Sequence, residues 1–413
     1  MFRSKSGGAG SPKASGNGAL AFVFITIFID MLGVGILIPV TAYIVRQYST
    51  DAFTVGLLTV SYSFFQFFAS PLLGQISDRY GRRPVLLLSL FGTAIGYFVF
   101  GVGGALWVLF AARIIDGITG GNISIAQAYI ADVTPPQERS KAFGLIGAAF
   151  SLGFIIGPAL GGVLSNISLS APAFFAGFLA LFNVVLGYFM LPESLPPEKR
   201  TTAPLNIANV NPITGILDVM RKPVLPILLL AVFAYNFAFA GLQSNFSLYT
   251  LERFQWSPNQ NALLFSVIGL VGIVMQGFLV RRLIPIFGDR RLATVGLGLM
   301  ALSFFGVAFI PEGWMLFLVC IVMAVGSGLS TPTLTGMISN SVSPREQGSI
   351  LGVTQSVNSL TRIFGPLWAG FAFDALGMPS PYWSGALFIL LALGLVMAYR
   401  NATRSPDPKP ASA

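Results

Sequence analysis

The chain has no histidine and only one cysteine in 413 residues, and just 9% of its residues are charged. Without imidazole, any proton carried through the interior must ride on a carboxylate. The single Cys320 rules out an intrachain disulfide. A soluble domain carries roughly 25% charged residues, so this composition leaves no room for a separate soluble domain. The loop Gly-x4-Gly-Lys-Ser/Thr that would cradle a nucleotide phosphate is absent, which excludes an ATP-driven pump. No metal-ligand cluster or nucleophile constellation stands out. An enzyme is therefore the least supported class, and neither a metal nor a cofactor is expected.

Apolar sequence is what the chain has instead: 54% of its residues are hydrophobic and mean hydropathy is +0.77. Runs of ~20 apolar residues, each long enough to cross ~30 Å of hydrocarbon, recur throughout. Twelve spans are predicted: about 19–46, 52–76, 84–103, 105–131, 138–164, 172–191, 223–253, 257–283, 290–310, 313–340, 346–375 and 380–399. Backbone polar groups in lipid must be satisfied within each span, so these are helices; a β-barrel would show short alternating segments. The fold class is an all-α polytopic membrane protein.

Basic residues set the expected topology. Of the 24 Lys and Arg, Arg46 and Arg253 fall on one side, Arg113 and Arg362 lie within spans, and all the rest fall on the other side. Both termini and the central loop are thus expected in the cytoplasm, with the chain in the plasma (inner) membrane. The net charge of +9 reflects this rule and gives no reason to invoke nucleic acid. The apolar segment after the polar first 18 residues is too long for a signal-peptide core and has no evident cleavage site.

A shift of 208 residues lays the fifth span on the eleventh without gaps. Pro136 meets Pro344, Glu138 meets Glu346, Gly144 meets Gly352, Gly157-Pro158 meets Gly365-Pro366, and Gly162 meets Gly370. Two six-helix bundles of like orientation follow, related by an axis along the membrane normal and enclosing a cavity near the midplane. The predicted organisation is a tail 1–18, a first bundle 19–191, a loop 192–222 whose stretch 211–221 is mildly amphipathic, a second bundle 223–400 and a tail 401–413.

The loop after the second span reads Gly74-Gln-Ile-Ser-Asp78-Arg79-Tyr-Gly81-Arg82-Arg83. It resembles the signature loop of the major facilitator superfamily, and span count, repeat and termini extend the resemblance over nearly the whole chain. The resemblance implies that the acidic residue, Asp78, latches one conformation by binding across to the other half; the positive N-terminus of the eleventh span is the expected acceptor. The corresponding loop in the second half is degenerate, with Pro285 where an acid would stand.

The fifth span carries Gly144, Gly153, Gly157, Pro158, Gly161 and Gly162, similar to the motif of antiporter members of the superfamily. Small residues let backbones touch and Pro158 removes a helix hydrogen bond. The first span, with Asp30-Met-Leu-Gly33-Val-Gly35 and Pro39, is similar to tetracycline-exporter-like members of the drug:proton antiporter group, which implies a coupling or substrate-site role for Asp30. The fourth span's Arg113-x3-Gly117 resembles the family's proton-relay motif, although Asp116 departs from it.

A charge in hydrocarbon costs about 2.5–3.5 kcal/mol on insertion scales, so Asp30, Arg113, Asp116 and Arg362 all call for an explanation. Asp30 and Asp116 each lie ~16 Å deep at ~1.5 Å per residue. Arg113 and Asp116, three residues apart, share a helix face and can neutralise each other; Asp30 has no such partner within its own helix. Asp30 is therefore the expected proton carrier, with Arg113 displacing or stabilising it. Arg362 is divided between substrate contact and a bond to backbone carbonyls. The remaining cavity candidates are Gln66, Asn122, Gln127, Tyr235, Asn236, Gln243, Asn245, Gln276, Gln355 and Asn358. A pocket of amides, hydroxyls and aromatics suits an amphipathic small organic molecule. The expectation is a monomeric secondary exporter that trades such a molecule for protons; a sugar, metabolite or siderophore carrier working by symport or uniport is the alternative.

Overall fold

The computed structural model describes residues 16–134, 139–202, 219, 225–342 and 347–399. No strand occurs among them. The first half comprises α1 (Gly16–Arg46), α2 (Ala52–Tyr80), α3 (Arg82–Val102), α4 (Leu106–Thr119), α5 (Asn122–Val133), α6 (Arg139–Ser165) and α7 (Ala171–Met190). The second comprises α8 (Leu225–Phe254), α9 (Pro258–Ile273), α10 (Val280–Phe287), α11 (Asp289–Phe309), α12 (Met315–Asn340), α13 (Gln347–Leu376) and α14 (Ser380–Ala398). Ten stretches, Leu106–Val133 and Pro258–Phe287 among them, are long and apolar enough to cross a membrane. Helices α6 and α13 occupy the places of the fifth and eleventh expected spans. The tails, the paired residues Pro136/Pro344 and Glu138/Glu346, and most of 203–224, including the amphipathic stretch, lie outside the described residues, as do the side chains around Gly144.

Two spans expected to be continuous are interrupted. The fourth breaks into α4 and α5 at Gly120-Gly121, where glycine gives the helix little support. The freed Gly120 carbonyl accepts from Gln66 Nε2 at 3.0 Å and from Ser70 Oγ at 3.3 Å. Internal acceptance of this kind is what lets irregular backbone survive at membrane depth. The eighth span passes through a π-helical turn, Val274–Leu279, between α9 and α10.

The pseudo-symmetry is visible in how glycines pack. A Cβ added to Gly157 of α6 would come within 2.7 Å of Gly35 Cα on α1. Its repeat mate, Gly365 of α13, would come within 2.7 Å of the Phe237 carbonyl on α8, the helix equivalent to α1. Gly162 presses on Ala262 of α9 in the opposite half, and its mate Gly370 on Phe53 of α2, 2.7 Å from that Cα. Each small-residue helix thus seats its own half's first helix and then crosses onto the second helix of the other half. Gly153 and Gly161 also face α1, against Met31 and Ile36. Direct backbone contact of this kind drives helix association in lipid, where apolar burial alone supplies little.

The polar bonds that join the halves gather at the end carrying few arginines. Arg46 pairs with Glu252 at 2.8 Å. Tyr43 Oη donates to the Trp256 carbonyl at 2.5 Å and accepts from Asn261 Nδ2 at 2.8 Å. Asn259 Nδ2 donates to Asn166 Oδ1 at 2.5 Å. Towards the arginine-rich end, by contrast, a Cβ added to Gly74 on α2 or Gly352 on α13 would meet nothing within 4 Å among the described residues.

Candidate substrate and proton site

Asp30 lies midway along α1, and Asn122 opens α5 just past the Gly120-Gly121 break. That break swings the Asn122 side chain toward α1, where its Nδ2 donates to Asp30 Oδ1 at 3.0 Å. The other amide atom of Asn122, Oδ1, is buried without a hydrogen-bond partner. One turn before the break, Arg113 Nη1 meets Asp116 Oδ2 at 3.3 Å, as the three-residue spacing predicts. Asp116 is 3% exposed. The Arg113 guanidinium also lies 4.8 Å from the Phe100 ring centroid and 5.7 Å from that of Tyr97, so aromatic faces share its charge. Its Nε and Nη2 are buried and unpartnered.

A cavity of about 200 Å³ opens between the halves beside this cluster. Its walls include Thr41, Thr59, Tyr62, Ser63, Gln66 and Arg113 from the first half, and Gln243, Ser244, Arg362 and Pro366 from the second. Both intramembrane arginines therefore reach one space from opposite bundles. Tyr62 ties the wall together by accepting from Gln66 Nε2 at 2.7 Å.

The other candidates are divided. Asn236 Nδ2 donates to Asn358 Oδ1 at 3.1 Å, joining α8 to α13, and Tyr235 bonds Thr331 at 3.1 Å. Asn245 is fully buried, with its Nδ2 unpartnered. Gln127, Gln276 and Gln355 are exposed and are not part of the cavity wall. Sequence reasoning passed over Thr41, Thr59, Tyr62, Ser63 and Ser244. Their short polar side chains gave no signal against the amides, and only helix rotation decides which of them face inward.

The signature loop is bound up inside the first half. Arg82 Nη2 meets Asp78 Oδ1 at 2.6 Å and its Nε meets Asp132 Oδ2 at 3.0 Å. Glu193, just beyond α7, accepts from the backbone N–H of Arg82 at 2.9 Å and of Arg83 at 3.3 Å, capping α3. Arg83 Nη2 donates to the Tyr188 carbonyl at 2.5 Å, and Arg79 lies over the Tyr80 ring. Gly81 takes φ +106° between α2 and α3, and Gly288 takes φ +75° at the equivalent corner of the second half. A side chain at such φ is strained, so glycine suits both corners, even though Pro285 stands where the acid of the motif would be. The expected meeting of Asp78 with the start of the eleventh span falls at 343–346, outside the described residues.

Two pseudo-symmetric helical bundles around a charged central cavity define an alternating-access membrane transporter fold. The chain belongs to the Major Facilitator Superfamily, whose family model matches residues 23–366 and 277–413. It is 33% identical over 377 residues to the tetracycline resistance protein, class C, of Escherichia coli, spanning 91% of this chain and 93% of that one. It is 31% identical over 379 residues to multidrug resistance protein 2 of Bacillus subtilis (strain 168), again 91% and 93%. The crystal structure of the human organic anion transporter MFSD10 superposes with a TM-score of 0.70 at 28% identity, covering 93% of this chain and 100% of that one. A bacterial homologue of the lysosomal transporter Spinster, inward-facing and unoccupied, gives a TM-score of 0.73 at 17% identity over 94% and 97%, a likeness of fold.

Proposed function

We propose that this protein exports small amphipathic organic molecules in exchange for protons. The observation that carries the reading is the cluster of Asp30, Asn122, Arg113 and Asp116 beside a cavity walled by both halves. Asp30 is the group that loads and unloads the proton. Asn122 holds its ionised form, and Arg113, shared with Asp116 and the rings of Phe100 and Tyr97, is the cation that senses the exchange. The tetracycline and multidrug resistance relatives support efflux as the direction. The division at 19–191 and 223–400, the antiporter role of the α6 glycines and the latch role of Asp78 belong to the same reading. So do a monomeric state, no enzymatic activity, a place in the inner membrane and cytoplasmic termini. With that topology the arginine-poor end, where polar bonds join the halves, faces outward.

The decisive experiment screens compounds on proteoliposomes under an imposed pH gradient with a lumenal pH dye. A compound exchanged for protons alkalinises the lumen on addition. Undiminished coupled flux in Asp30→Asn ends the assignment of the proton to Asp30. The two arginines in the cavity wall favour a second reading, a carrier of organic anions moving together with protons. Under that reading the lumen acidifies instead.

A further inference from the structure

Helix α2 starts after Asp51, whose side chain makes no capping bond to its own helix. The cap comes from the other half. Asp374, in the last turn of α13, accepts from the backbone N–H of Ala52 through Oδ1 at 2.9 Å and of Phe53 through Oδ2 at 2.7 Å. A carboxylate on free N–H groups at a helix start gains from both hydrogen bonding and the helix dipole. Here that gain exists only while the arginine-poor ends of α2 and α13 stay together. At the far end of α2 the situation is reversed. Asp78, which the sequence expects to reach the start of α13, is held by Arg82, and Arg82 by Asp132, all within the first half.

We propose that Asp374 holds α2 against α13 and keeps the arginine-poor end sealed, a counterpart to the latch that the family resemblance assigns to Asp78. Opening the cavity on that side separates Asp374 from Ala52 and leaves the α2 N-terminus uncapped. The device acts on the conformational equilibrium and holds whatever the cargo.

The test is a distance measurement between spin labels at Ile167→Cys and Trp314→Cys, positions 77% and 60% exposed on opposite halves of the sealed end. It uses the full chain in lipid nanodiscs with the buried Cys320 replaced by Ser. Asp374→Ala raises the long-distance population about three- to tenfold, the range expected for losing a helix cap. Asp78→Asn shifts it the opposite way, and the double variant returns toward the parent. Asp51→Asn, a carboxylate beside the same helix start that caps nothing, leaves the distribution in place. Ala52→Pro reads the latch from its other side: proline is at home at the first helical position and removes one of the two N–H groups from which Asp374 accepts. It shifts the population in the same direction as Asp374→Ala, and so keeps the test decisive should the latter fail to assemble. An unchanged distribution in Asp374→Ala or in Ala52→Pro, or a shift in the direction of Asp78→Asn, overturns the proposal.

Discussion

Asn122 reaches from the start of α5 to Asp30 on α1, placing an amide donor 3.0 Å from a carboxylate oxygen 92 residues earlier in the chain. The contact exists because the fourth span breaks at Gly120-Gly121, so the residue after the break leaves the straight course of the helix. A hydrogen bond to a charged partner is worth roughly 1.5–3 kcal/mol. Asn122→Ala should therefore slow substrate-driven proton flux about tenfold or more in proteoliposomes, while antibody detection shows normal membrane insertion. A flux equal to wild type would show that Asp30 works without this donor.

Arg113 and Asp116 are expected to be coupled in stability. Removing one partner of a buried pair leaves the other charge uncompensated, at about 3–5 kcal/mol. Arg113→Ala should lower the thermal unfolding midpoint in detergent sharply, and Arg113→Ala with Asp116→Ala should recover much of the loss. Arg113→Lys should fall between, because lysine keeps the charge without the planar contact to Phe100. Additive effects in the double variant would contradict the pairing.

Gly157 sits where α6 and α1 touch backbone to backbone. A methyl group there would approach Gly35 Cα to 2.7 Å, with no flexible side chain to move aside. Gly157→Ala should destabilise the protein by about 1–3 kcal/mol, the usual range for overpacking, and slow transport. The same change at Gly298, where an added Cβ meets nothing within 4 Å, should be nearly silent in the same unfolding assay.

Glu193 caps α3 from the loop after α7. Glu193→Ala should cost about 1 kcal/mol and loosen the signature loop. The expected readout is faster proteolysis near Arg82 and Arg83 in the variant than in the parent.

Much of the site was legible because charge in hydrocarbon is costly enough to be conspicuous. Asp30, Arg113, Asp116 and Arg362 announced themselves by position, and the Arg113–Asp116 pair by spacing. The glycine repeat between α6 and α13 was equally plain, since glycine and proline mark the backbone directly. The amides fared worse: Gln66 and Gln243 line the cavity, whereas Gln127, Gln276 and Gln355 are exposed. An amide within a span carries no record of which way its helix is turned. Asp374 drew no notice because an acid at the end of a span is ordinary until its partner 321 residues away is known.

Sequence alone therefore settled what depends on composition along one helix: which stretches are apolar enough to cross, where charge stands out, and which residues repeat between the halves. Tertiary structure decided what depends on rotation and on contact between helices: the break that brings Asn122 to Asp30, the cavity shared by Arg113 and Arg362, and the cap that α13 lends to α2. The division has a physical cause. Hydropathy and backbone propensity act residue by residue, whereas the face a helix presents is fixed only when its small residues find a neighbour to lie against.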